Sequence, residues 1–186
     1  PDLVAAAATL LSGAKRPLIL AGRCSRGEAG ERQRVALAEK LNAPVLTSIK
    51  LAAAFPTDHR LHPVPPFQTM LPEAKQLVAA ADVILALDWL DLAGTFKQTL
   101  GTEPVTAKVI HVSCDAYSHR GWSMDHQGLP PVDLFIAADP DATVAALCQA
   151  MGPMPAKKTD LKPQPLHTPS KGARALGVED LAHTLR

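Results

Sequence analysis

The residues best placed to do chemistry in this 186-residue chain begin with a short glycine-bounded turn, Gly22-Arg23-Cys24-Ser25-Arg26-Gly27. Its spacing is that of the phosphate-cradling G-x-G-x-x-G loop, with Cys24 standing at the middle glycine. That glycine lets the backbone approach a pyrophosphate closely, so a side chain there argues against a dinucleotide bound in the usual way. No Asp or Glu closes the second apolar run to hold a ribose hydroxyl. The turn reads as a glycine turn needed for strand-to-helix packing, with a nucleotide loop as the weaker alternative.

A second cluster, Asp88-Trp89-Leu90-Asp91, follows a later apolar run. Two carboxylates three residues apart can act as an acid and base pair or can cap a helix. Asp91, three residues before Gly94, suits the cap, while Asp88 is expected to point into a crevice as an uncompensated charge. Histidines are sparse in useful company. His59 and His62 offer two nitrogens in a proline-rich stretch without a third ligand nearby, and His111 inside an apolar run reads as a satisfied core histidine. His119, Trp122, Asp125 and His126 lie in a long loop, Tyr117 to Pro131, that either covers a ligand or packs against a partner domain. Cys24, Cys114 and Cys148 share no C-x-x-C spacing, so the chain suggests neither a disulfide framework nor a zinc ribbon, and a reducing cytoplasm fits it. There is no G-x-S-x-G and no Walker lysine motif.

The elements that must position these residues are legible as five short, nearly continuous apolar runs: Arg16 to Gly22, Pro44 to Ser48, Asp82 to Asp88, Lys108 to Ser113 and Val132 to Ala138. Such runs are how strands covered on both faces read. Between them lie helix-period segments at roughly Gly27 to Asn42, Pro72 to Ala81 and Leu92 to Leu100. Asp139-Pro140 caps a further helix running to about Met151, and Asp2 starts one that ends at Gly13. Alternating strands and helices predict an α/β, doubly wound, mainly parallel sheet: a Rossmann-like three-layer sandwich. Phe55 to Pro72, with five prolines, is expected to be an irregular loop or a short edge strand.

In an open parallel sheet, ligands bind beyond the carboxyl ends of the strands where strand order reverses. That rule selects the loops at Gly22 to Gly27, Thr47 to Lys50, Asp88 to Asp91, Ser113 to His119, and Ala138-Asp139.

Composition limits the partners. Residues 1–151 carry 13 basic and 15 acidic side chains, leaving no positive excess to neutralise a phosphate backbone, so nucleic acid is not an expected partner. No apolar run approaches the roughly 18 residues of a membrane span, and residues 1–11 lack a basic signal-peptide start. Residues 152–186 carry six basic and three acidic side chains, and Gly152 to Gly177 holds five prolines and four lysines. That composition reads as an interdomain linker leading into a following domain, so the domain proper is expected to end at 151. The chain starts without Met and closes on what reads as the start of a helix, Val178 to Arg186, as a piece of something longer would.

Three ordered sets of residues carry a resemblance: Ala14 to Gly22 (AKRPLILAG), Leu37 to Ser48 (LAEKLNAPVLTS), and Lys50 with Ala54 to His59 (AFPTDH). Together with Ala81 to Leu87, Lys108 to Asp115 and Val132 to Asp139, they make residues 3–150 resemble the central domain of thiamine-diphosphate-dependent enzymes, of the acetolactate synthase and 2-oxo acid decarboxylase kind. The resemblance implies a six-stranded Rossmann-like domain between a pyrimidine-binding and a diphosphate-binding domain of the same chain, in a homo-oligomer acting as a transferase or lyase. It also implies that thiamine diphosphate and magnesium are bound outside these residues, whose G-D-G motif is absent here, so the isolated chain is expected to be inactive. In the synthase branch this domain binds FAD, and the matching positions are Gly22, Arg23, Cys24, Thr47, Ser48, Lys50, Asp88, Trp89, Ser113, Asp115 and Asp139. Trp89 replaces the arginine of the family's Gly-x-Arg, and the glycine expected near Pro63 to Pro66 is absent. Those departures favour a structural, noncatalytic domain over FAD binding. A self-contained nucleotide-binding domain of an oxidoreductase or sensor, and an interaction module without a small-molecule site, are the competing readings.

Overall fold

The computed structural model describes residues 2–115, 126, 128–154 and 177–178. Residues 155–176 of the expected linker, the expected terminal helix beyond Val178, and His119, Trp122 and Asp125 of the long loop lie outside them. The chain runs α1 (Asp2–Gly13), β1 (Pro17–Ala21), α2 (Glu28–Leu41), β2 (Val45–Thr47), α3 (Pro72–Ala80), β3 (Val83–Leu87), α4 (Leu92–Leu100), β4 (Lys108–Val112), β5 (Leu134–Ile136) and α5 (Pro140–Ala150).

Every strand pairing is parallel and the sheet order is β2-β1-β3-β4-β5. Because successive strand residues point to opposite faces, each strand feeds two cores at once. Ile19, Ala21, Leu85, Leu87, Ile110 and Ile136 enter the layer shared with α1, α2 and α5. Leu18, Leu20, Leu46, Ile84, Ala86 and Val109 enter the layer shared with α3 and α4. Burial on both faces is why these strands carry uninterrupted apolar runs rather than alternating ones.

Five strands form the sheet among the described residues, where about six are expected. The missing position is occupied by a single parallel bridge between Ser48 and Phe67, on the edge of β2 away from β1. There Phe67 N–H donates to the Thr47 carbonyl at 3.3 Å, Ile49 N–H donates to the Phe67 carbonyl at 3.2 Å, and Val45 N–H donates to Leu61 at 2.7 Å. Prolines 63, 65 and 66 lack the backbone N–H that a longer ladder needs, which holds this edge to one bridge. β5 is also shorter than its apolar run. The Asp133 N–H still donates to the Val109 carbonyl at 2.9 Å, but the Asp133 carboxylate accepts the Val109 N–H at 2.9 Å and the Lys108 ammonium at 2.6 Å, which takes the donor that a further ladder bond would need.

Helix caps follow local chemistry. Asp91 accepts the Gly94 N–H at 3.1 Å and Asp139 accepts the Ala142 N–H at 2.9 Å, with Pro140 in the first turn of α5. Among the described residues no helix is long and apolar enough to cross a membrane.

Candidate functional site

The strand order reverses between β1 and β3. The loop after β1 leads into α2 on one face of the sheet and the loop after β3 leads into α4 on the other, so a crevice opens at the carboxyl ends of these two strands. Gly22 forms its floor. A side chain there has no room, because a Cβ would overlap the Asp88 backbone and lie 2.6 Å from the Leu87 carbonyl oxygen. The Gly22 N–H donates to Leu87 at 2.8 Å and the Arg23 N–H to Asp88 at 3.1 Å, extending the β1–β3 ladder past the strand ends. This glycine is thus required by the approach of two strands, independent of any ligand.

Asp88 sits beside it with φ of 50°, a left-handed conformation that Asp tolerates better than most residues with a Cβ. Its side chain does not stand in the crevice as an uncompensated charge. Arg23 Nη2 donates to Asp88 Oδ1 at 2.8 Å and the Ser113 hydroxyl donates to the same oxygen at 2.6 Å, leaving Asp88 6% exposed. Arg23 bonds Asp115 as well, and Ser113 Oγ accepts the Asp115 N–H at 3.0 Å. Burial disfavours the charged guanidinium, but bonds to two carboxylates outweigh it and raise the Arg23 pKa. The four side chains satisfy one another across the ends of β1, β3 and β4. One guanidinium between two carboxylates leaves this cluster with an excess negative charge, and its one cation is already paired on both sides.

The remaining candidates are turned to other uses. Cys24 packs against the core under α2 and α5, and burial pushes its thiol up to about 12. Thr47 is buried and its hydroxyl pairs with His62 Nε2 at 2.8 Å, so His62 belongs to the packing of the proline-rich loop, and His59 Nε2 lies 3.3 Å from Glu39. Asp139 is spent on its helix cap. Trp89 is 7% exposed, donates its indole N–H to Thr95 Oγ1 at 2.8 Å and packs on Phe67. Together with Ser48, Lys50, Gln68 and Asp91 it lines a cleft of about 30 Å³, room for one or two waters. An isoalloxazine ring needs a pocket of several hundred Å³. His111 departs from its expected satisfied state: its Nε2 is buried without a hydrogen-bond partner, and burial lowers its pKa although Asp88 opposes this. Among the described residues, the cleft beside Trp89 has no room for the ring of FAD. Among the described residues no group of three or more His, Cys, Asp or Glu side chains lies close enough to hold a metal ion.

One organising residue escapes the reading of the sequence. Arg34 is 2% exposed inside α2, donates to the Ala54 carbonyl at 2.8 Å and the Ser25 carbonyl at 2.9 Å, and pairs with Asp141 of α5. Asp141 in turn accepts the Ser25 N–H at 2.8 Å. Burial would raise the Asp141 pKa, but the bonds from Ser25 and the charge of Arg34 hold it below the ordinary carboxylate value. One guanidinium therefore ties the loop after β1, the loop after β2 and α5 together. Gly30 makes room for it, since a Cβ there would lie 2.5 Å from Ser25 Oγ and 3.0 Å from Arg34 Nη1. A signal was available: Arg34 shares the 3.6-residue stripe of Leu37, Ala38 and Leu41, the buried face of α2.

Comparison with known proteins follows the same outline. Residues 4–147 match the family model described as the thiamine pyrophosphate enzyme central domain. Sulfoacetaldehyde acetyltransferase of Rhodobacter capsulatus is 35% identical over 147 residues, which is 78% of this chain and 24% of that protein. Acetolactate synthase of Mycobacterium avium is 36% identical over 114 residues, 58% of this chain and 17% of that protein. The crystal structure of benzoylformate decarboxylase from Polynucleobacter necessarius superposes with a TM-score of 0.60 at 20% identity, covering 97% of this chain and 32% of that one, a likeness of fold. The chain spans between 15% and 24% of the length of the curated relatives it matches.

Proposed function

Since the chain belongs to the thiamine pyrophosphate enzyme central-domain family, we propose that it is the structural middle unit of an acyl-transferring enzyme that acts on 2-oxo acids with thiamine diphosphate. Relatives named as acetyltransferases and as an acetolactate synthase support the transferase reading over a lyase. Thiamine diphosphate, when bound, supplies the carbanion chemistry of such enzymes, and that chemistry is the cofactor's own. We assign the cofactor and its magnesium ion to parts of the parent protein outside this chain, in the cytoplasm.

The observation that carries the structural role is Arg23. At the switch point, where a related fold would turn a cation or open backbone amides toward a phosphate, Arg23 is held between Asp88 and Asp115. An anionic dinucleotide would have to break that pairing and would then meet two carboxylates. The unit accordingly contributes a rigid three-layer core and the faces on which the rest of the parent enzyme packs.

The test is binding. Purified chain mixed with FAD is expected to elute colourless from gel filtration, and calorimetry with FAD or with thiamine diphosphate and magnesium is expected to give a Kd weaker than about 100 µM. A flavin absorbance band that stays with the protein would sink the structural reading of the crevice. Thiamine diphosphate binding by these 186 residues alone would show that the cofactor site has been placed wrongly.

A further inference from the structure

The crevice has a titratable neighbour that its ion pairs do not use. His111 lies in β4 on the face shared with α3 and α4, as Val109 does two residues earlier, and pairs in register with Ala86 of β3 and Phe135 of β5. Its ring meets Phe135 edge-on, with centroids 5.6 Å apart, and its Nε2 is buried with no hydrogen-bond partner. A neutral imidazole carries one N–H and can leave the other nitrogen bare, whereas an imidazolium is a donor at both. Charging His111 therefore puts an N–H where the resting structure supplies no acceptor. The register places one close by. The next positions on this face, Asp88 beyond β3 and Ser113 beyond β4, stand two residues, about 6.6 Å, along the strands from Ala86 and His111. The Ser113 hydroxyl already reaches Asp88 Oδ1 at 2.6 Å, and an imidazole turning about its side-chain bonds spans the remaining gap. Burial, the largest influence, holds the His111 pKa below its ordinary value, while Asp88 and Asp115 favour the charged ring and Arg23 opposes it. To this layer α3 presents Ala74 and Val78 and α4 presents Leu92 and Phe96, while His126, in the loop before β5, bonds Asp91 at the start of α4 through its backbone N–H.

We propose that His111 is a proton-operated release for the side-chain cluster at the carboxyl ends of β1, β3 and β4: charged in mild acid, it turns Nε2–H to the Asp88 carboxylate and takes it from the Ser113 hydroxyl. The proton comes from solvent, and only hydrogen bonds are exchanged. A bond from a cation to a carboxylate is about twice as strong as one from a neutral hydroxyl, so the exchange runs toward the imidazolium once the ring is charged. Arg23 then faces a carboxylate that a second cation has neutralised, and is left to Asp115, whose side chain is 40% exposed. At neutral pH the cluster is closed, and in mild acid the switch point presents a loosely held guanidinium. Because the folded pKa lies below the unfolded value of about 6.5, the stability that neutral His111 contributes is complete above that value and is lost as pH falls through it toward the folded one. The proposal stands independently of the central-domain reading.

The test is an NMR titration of the chain from pH 7.5 to 5 that follows the His111 ring and the Arg23 Nε–H, with His111→Gln and His111→Phe as controls. The ring is expected to titrate below about 6.5, and the Arg23 signal to shift with the same midpoint. Exchange of the Arg23 guanidinium protons, corrected for its intrinsic pH dependence, is expected to rise at least threefold across that midpoint. In both controls the Arg23 signal is expected to stay flat over the range. Asp88→Asn removes the group that the imidazolium turns to, and is expected to lower the His111 midpoint further. A His111 midpoint at or above the unfolded value, or an Arg23 signal that ignores the His111 titration, would overturn the proposal. So would the same Arg23 shift in the controls, which would assign the acid response to the carboxylates, or a cooperative loss of far-UV circular dichroism over the same range, which would make His111 a stability group alone. Where a control fails to fold, coincidence of the two midpoints in the unsubstituted chain decides.

Discussion

Replacing Arg34 with methionine keeps most of the apolar stem and removes the guanidinium, which isolates the contribution of its bonds. In the folded chain that group satisfies the Ala54 and Ser25 carbonyls and the Asp141 carboxylate, and the side chains of the ion pair are 2% and 18% exposed. Removing one partner of a buried pair costs about 3–5 kcal/mol, because the other charge remains in a poor solvent. At this size each kcal/mol corresponds to about 2–4 °C of Tm, so the midpoint is expected to fall by about 6–20 °C. Urea unfolding followed by far-UV circular dichroism measures the loss. Arg34→Met combined with Asp141→Ala is expected to be less destabilised than the sum of the singles by about 1–3 kcal/mol, since the stranded carboxylate is gone. The acid limb provides an independent reading. Asp141 has a depressed pKa in the folded chain, so its contribution is complete above the unfolded carboxylate value of about 3.9 and is lost as pH falls through the lower folded value. With Arg34 gone, that loss moves to higher pH. A single-variant cost below about 1 kcal/mol, or strict additivity in the double variant, would refute the claim that Arg34 holds the two loops to α5.

Other substitutions probe the crevice. Asp88→Asn keeps a side chain that tolerates φ of 50° but removes the charge facing Arg23, and a loss of about 1–3 kcal/mol in urea unfolding is expected. Gly22→Ala drives a Cβ into the Asp88 and Leu87 backbone and is expected to cost about 2–4 kcal/mol or to prevent folding, whether or not any ligand is offered, as read by soluble yield and Tm. Cys24, with its thiol pushed up to about 12, is expected to resist iodoacetamide at pH 8 while exposed Cys114 reacts, as followed by peptide mass spectrometry.

The sequence by itself determined the elements and their class. Strands buried on both faces need apolar side chains at every position, so β1 and β3 announce themselves as PLILA and VILAL without any knowledge of their neighbours. Helix α4 begins at Leu92 because Asp91 caps it, and α5 begins at Pro140 because Asp139 does, both interactions spanning three residues. Such information is local and is written in adjacent positions. The tertiary structure decided what the strand-end residues do. Arg23 meets Asp88 and Asp115 across 65 and 92 positions, and Arg34 meets Asp141 across 107, contacts that exist only once the order β2-β1-β3-β4-β5 has been set. Strand order depends on how two apolar layers pack as wholes, and no single segment records it. The same glycine at position 22 suits a phosphate loop or a close approach of two strand ends equally well in the sequence, and only the fold shows the backbone of Asp88 and Leu87 lying against it, which requires the glycine whether or not a ligand binds.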